Sequence, residues 1–135
     1  MLTRVKGEEM SVPIIFITTF KIQNGALEKF KEAVRKSTDF LEINGPQLMV
    51  EVCIDENEMC AHGVQVHRDS ESILNHWKLA DPYMRDVMQY IKTTRVDIYG
   101  QPNKDVIDGV KRFSSQGAII SVTPKFAGFS RLPGI

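Results

Sequence analysis

The stretch Asp69–Ile91 (DSESILNHWKLADPYMRDVMQYI) brings together His76, Tyr83 and Trp77, the only Trp of the chain. An imidazole titrates near neutral pH and can move a proton, a phenol can donate or accept a hydrogen bond, and an indole offers a broad apolar wall. His76 and Tyr83 are therefore the candidate catalytic residues, and Trp77 the candidate wall of a substrate pocket. Plainer roles compete with these. Trp77 continues an Ile73/Leu74 stripe of the kind that builds ordinary core, and His76, about 100° away from it around a helix, can instead face solvent or a subunit contact. Thr18 and Phe20 on the first strand-like run, and Tyr99 at the end of the last, are candidates to complete the pocket, with Phe16, Thr19 and His67 nearby. Strand Thr is usually no more than a good sheet former.

A second group is Glu51, Cys53, Cys60 and His62. The segments 47–54 and 59–68 alternate at period two around the polar DENE, the pattern of a hairpin. A turn centred on Glu56-Asn57 pairs Ile54 with Met59, Cys53 with Cys60 and Glu51 with His62, with facing Cβ atoms about 5 Å apart. Thiolate, imidazole and carboxylate are zinc ligands, yet a flat sheet face does not converge four of them on one point and the spacing fits no zinc motif. The expectation is no metal and two reduced thiols packed between subunits, a cross-strand disulfide being disfavoured in a reducing compartment.

No Gly-rich phosphate loop and no Ser/His/Asp order occurs. The 17 basic residues balance the 17 acidic ones, so no overall field favours nucleic acid or an anionic membrane. No apolar run approaches the roughly 18 residues of a membrane span, and MLTRVKGEEM lacks the apolar region of a secretory signal. A cytoplasmic protein is expected, with 1–12 as a disordered N-terminal extension.

The positioning elements follow from periodicity. Pro13–Ile22 is β-branched and aromatic, its Ile14–Ile17 core apolar at consecutive positions as in a strand covered on both faces. Leu27, Phe30, Val34 and Leu41 recur at helical spacing, and Asn44-Gly45-Pro46 ends that helix with Gly45 in a left-handed cap. The hairpin comes next. Asp69 or Ser70 caps a further helix, which Asp81-Pro82 breaks and restarts with Ile91 on its stripe, and Thr93–Tyr99 forms a fourth strand. The order βαββαβ is an α+β ferredoxin-like sandwich, an antiparallel sheet with helices on one face, spanning 13–102. Its bare face calls for a homodimer packed sheet on sheet. The extension 103–135 adds a helix after Asn103 and a strand near 117–122 that must join a sheet edge of its own chain or a partner's, with Phe126, Phe129 and Leu132 as anchors.

Two blocks carry a resemblance. IIFITTFKIQNGALEKFKEAV (14–34) and VQVHRDSESILNHWKLADPYMRDV (64–87) are similar to the opening strand and helix, and to the third strand and following helix, of the antibiotic-biosynthesis-monooxygenase group of the dimeric α/β-barrel superfamily. The resemblance covers about residues 13–102 and implies a dimeric α/β barrel. It further implies a cofactor-independent monooxygenase acting on a small aromatic or quinol, with no cofactor held and His76 matching the helical His of such proteins. The haem-degrading branch is not implied. Trp77 matches its Trp, but Thr18 and Val87 stand where its Asn and ligating His would be. The competing expectation is a non-catalytic dimeric module for a small ligand or for assembly.

Overall fold

The computed structural model describes residues 13–132. The extension 1–12 and residues 133–135 lie outside them. Eight elements follow in order: β1 Ile14–Ile22, α1 Leu27–Asn44, β2 Met49–Asp55, β3 Cys60–His67, α2 Ser70–Met88, β4 Ile91–Tyr99, α3 Lys104–Ser115 and β5 Ile119–Thr123. The sheet order is β2-β3-β1-β4-β5. Its first four strands are antiparallel in the expected ferredoxin-like order, and β5 joins β4 in parallel at the edge of its own chain's sheet, making the whole sheet mixed. The extension thus widens the same sheet.

Alternation along β1 decides which residues meet the helices. Ile14, Phe16 and Ile22 are buried beneath them, whereas Ile15 on the opposite face is 39% exposed, so this chain covers only one side of the strand. One apolar cluster joins Ile14 and Phe16 to Ile73, Ile98, Val106 and Val110; the other joins Ile22 and the fully buried Phe30 to Ala33, Ala61 and Val87. All three helices therefore draw their buried stripes against one sheet face. Among the described residues no helix is long and apolar enough to cross a membrane.

Local chemistry corrects several expectations. Gly45 is extended (φ −81°, ψ 154°) rather than left-handed, and its N–H still closes on Leu41 O at 2.8 Å, so Pro46 alone suffices to stop α1. The hairpin loop is Glu56–Met59, one residue later than expected. Asp55 Oδ1 accepts the Glu58 N–H at 3.1 Å, and Met59 takes φ 50° to close the turn. The register therefore moves by two: Cys53 faces His62, Ile54 faces Ala61 and Asp55 faces Cys60, so the two Cys are not opposed. Ile91 begins β4 and does not lie on α2. Phe126 and Phe129, expected as anchors, are exposed.

Helix α2 runs unbroken through Pro82. Asp69 caps it, Oδ1 accepting the Ser72 N–H at 2.9 Å, while Ser70 Oγ instead receives the Asn103 N–H at 2.8 Å at the start of α3. The stripe of Ile73, Ala80 and Val87 buries on both sides of Pro82, and that continuous burial offsets the missing backbone donor. Pro82→Ala should restore the donor and raise the unfolding free energy by roughly 1–3 kcal/mol in urea titration. A loss of stability would show instead that Pro82 starts a separate helical segment.

Candidate functional site

Between the sheet and the three helices lies an open cavity of about 120 Å³. Phe16, Thr18, Phe20 and Gln65 line it from β1 and β3; His76 and Trp77 line it from α2. Consecutive residues on one helix both reach it because α3 packs beside α2 and extends the wall. Val106 and Val110 bury completely against the sheet, which turns the next face of α3, Gly109 and Arg112, toward Trp77. Gly109 provides the notch. A Cβ there would fall 2.8 Å from Trp77 Cη2 and closer still to Cζ3. The Arg112 guanidinium lies over the same indole, 5.3 Å from the ring centre.

His76 is 3% exposed and belongs to a chain of hydrogen bonds. Gln47 Nε2 meets His76 Nδ1 at 2.7 Å and Gln65 Oε1 at 3.3 Å; Gln65 Oε1 also meets His67 Nε2 at 2.9 Å, and His67 Nδ1 meets Ser72 Oγ at 2.8 Å. Two assignments of protons satisfy all four contacts. In the first the Gln47 amide donates to Gln65 and to His76 Nδ1, His67 donates through Nε2, and Ser72 donates to His67 Nδ1, 2.8 Å away, rather than to Pro46 O at 3.5 Å. The reverse amide orientation would bury the Gln47 NH2 where Oε1 now sits without a partner, and an unpaired amide donor costs more than an under-used carbonyl oxygen. His76 therefore carries its proton on Nε2. Among the described residues that atom has no protein partner, and it is not sealed off either, since only Gln47 Oε1 and Thr93 Oγ1 are buried there without one. His76 lines the cavity, where a protonated Nε2 is available as a donor.

Burial pushes both imidazoles below the usual range. Desolvation lowers His76 to about 4; desolvation, and then the neighbouring His76, lower His67 to about 3. Both are neutral at pH 7. A neutral His76 whose Nδ1 is already engaged and whose basicity is this low is a poor proton acceptor and a good hydrogen-bond donor.

The other candidates divide. Thr18, Phe20, His76 and Trp77 share the cavity, and Thr18 Oγ1 makes no hydrogen bond within the described protein. Tyr83 does not line it. One turn beyond Ala80, it stacks on Phe40 of α1 with ring centres 4.5 Å apart. Tyr99 does not line it either, because it pairs with Ile15 on the outer sheet face and is half-exposed there. His62 is also outside, with Nδ1 3.2 Å from Thr19 Oγ1 and Nε2 3.9 Å from Cys60 Sγ; both Cys are free. Among the described residues no group of three or more His, Cys, Asp or Glu is placed to hold a metal ion. Gln47, Gln65, Gly109 and Arg112 were not anticipated. Gln65 alone left a signal, a polar residue on the covered face of β3 between Gly63 and His67.

No protein-family model matches the sequence, and no curated protein matches it. Solved structures do. MupZ from Pseudomonas fluorescens superposes with a TM-score of 0.71 at 16% identity, covering 91% of this chain and 97% of that one. SnoaB from Streptomyces nogalater, described as a cofactor-independent oxygenase, gives 0.57 at 9%, covering 68% and 95%. A protein from Nitrosomonas europaea, named for antibiotic biosynthesis monooxygenases, gives 0.60 at 12%, covering 70% and 94%. The chain has the fold of the antibiotic-biosynthesis-monooxygenase-like proteins. Identities this low establish fold alone. The βαββαβ core, residues 14–99, is 86 of the 135 residues, close to the share matched by the second and third structures. MupZ matches far more than that core, so α3 and β5 have a counterpart there.

The buried imidazoles set a pH window. Below 6.5 the unfolded chain binds protons at His76 and His67 that the folded protein refuses until about pH 4 and about pH 3, so stability is complete above 6.5 and declines as pH falls through this range. Between pH 6 and 5, above most carboxylate titrations, the unfolding free energy from urea titration should fall with a slope approaching about two protons. Stability independent of pH there would mean that the imidazoles are hydrated or charged in the folded state. Gly109→Ala is expected to displace the indole, shifting the emission of this single Trp and lowering stability by about 1–3 kcal/mol. Unchanged emission would place Trp77 elsewhere.

Proposed function

We propose that the protein is a small cofactor-independent oxygenase that takes an aromatic or quinol-type substrate into the cavity between sheet and helices. The observation that supports this is that His76 and Thr18 line one largely apolar cavity together with Phe16, Phe20 and Trp77. Flat apolar walls select an aromatic ring, and a few placed polar groups fix its orientation. Such a substrate becomes reactive toward oxygen once it has lost a proton, since its anion is the better electron donor. His76 serves as a donor to the developing oxyanion rather than as the base, with Thr18 assisting, and the proton leaves to solvent through the open side. For an anthrone the balance is simple. The methylene carbon gives up four electrons and two hydrogens, one oxygen atom becomes its carbonyl and the other leaves as water, so the substrate is its own reductant.

The assembly belongs to the same reading. Ile15, Tyr99 and Ile119, the last 59% exposed, put apolar surface on the uncovered sheet face, which supports a homodimer joined through these faces.

Oxygen uptake with a panel of anthrones and quinols tests the activity. Turnover is expected without added metal or cofactor, and His76→Ala should lower kcat about 100-fold, as removal of an oxyanion donor does elsewhere. Wild-type rates in His76→Ala would remove His76 from the mechanism. Ligands that bind without any oxygen uptake would instead favour a non-catalytic dimeric binding module.

A further inference from the structure

We infer that Arg112 makes the mouth of the cavity a binding site for an anionic group, so that the ligand is an aromatic acid with its ring inside and its carboxylate on the guanidinium. This rests on the preceding reading only in placing an aromatic ring in the cavity. Arg112 lines the cavity, and among the described residues its guanidinium makes neither an ion pair nor a hydrogen bond. Two acidic groups, one of the lining and one of α3, are already matched. Asp81, the acidic residue of the lining, holds Arg85 at 2.7 Å, and Asp108 on α3 holds Lys104 at 2.8 Å and Lys111 at 3.5 Å. Arg112 is the Arg of the lining, and among the described residues it has no acidic partner.

Its position is also restricted in advance. The guanidinium lies over two aromatic rings, 5.3 Å from the Trp77 ring centre and 5.2 Å from that of Phe113. Its N–H groups make no hydrogen bond among the described residues, and a guanidinium grips a carboxylate through two parallel bonds. Contact with the two rings lowers the ordering cost that usually weakens an exposed ion pair. Apolar walls on the inner side favour the ring there and keep the charge at the rim, where it stays partly hydrated. Arg112 and Phe113 come from α3, outside the βαββαβ core, so the extension adds a ligand preference that the core does not contain.

Calorimetric titration with 2-naphthoate and with 2-naphthamide isolates the charge, because the two share ring and shape and neither ring is oxidised. Wild-type protein should bind the carboxylate about tenfold more tightly than the amide, with the difference shrinking as salt rises. Arg112→Met keeps an unbranched side chain over Trp77 without the cation. It should bind both compounds as weakly as wild type binds the amide, with the far-UV circular dichroism unchanged. Equal affinities in wild type, a carboxylate preference that survives in Arg112→Met, or no binding of 2-naphthoate would each overturn the assignment. A carboxylate preference without oxygen uptake on any quinol or anthrone would leave Arg112 standing and remove the oxygenase reading. Uptake with no such preference would do the reverse.

Discussion

Two neutral imidazoles in the interior, held by a chain of side-chain hydrogen bonds, are the constraint on which the site depends. Burying His67 and His76 beside one another costs nothing electrostatically only while both remain uncharged, and each ring then needs a donor and an acceptor in the right places. Gln47, Gln65 and Ser72 supply them from three elements: the segment after α1, strand β3 and the first turn of α2. With the Gln47 amide donating, the same bonds leave the proton on His76 Nε2. In the proposed reading that proton stabilises a developing anion, and the low basicity of the buried ring sets His76 apart from the general base that its residue type alone suggests.

The fold supports this network from both ends. Strand β1 runs between β3 and β4 and sends Phe16, Thr18 and Phe20 into the cavity from below, a consequence of its period-two alternation. Helix α2 delivers His76 and Trp77 from above on turns anchored by the buried stripe that runs from Ile73 to Val87. Helix α3 then closes the side. Its Gly109 accepts the indole and its Val106 and Val110 pin it to the core, so a segment outside the ferredoxin-like unit becomes part of the pocket wall.

Much of this was legible in the sequence, for reasons that differ by residue. The strand order, the helices and their buried stripes follow from periodicity, which survives any error of a residue or two at the ends. Thr18, Phe20 and Trp77 were legible because alternation and helical spacing put them on the covered faces. Tyr83 and Tyr99 were not, since an aromatic that stacks on a neighbouring helix and one on an open sheet face look alike in one dimension. The hairpin register failed because a four-residue loop one position later keeps every side chain on its expected face while moving its partner by two. The Gln pair and the Gly109 notch depend on contacts between elements far apart in the chain, and no local pattern announces them.

The claim at the centre is that His76 is neutral at pH 7 and protonated on Nε2, with Nδ1 accepting from Gln47. Long-range proton–nitrogen correlation of the histidine rings in 15N-labelled protein reads this directly. The account predicts, for His76, a bare Nδ1 and a protonated Nε2 that persist from pH 8 down to pH 5, and that Gln47→Leu disturbs. A protonated Nδ1, or an imidazolium signal for His76 at pH 6, would contradict it.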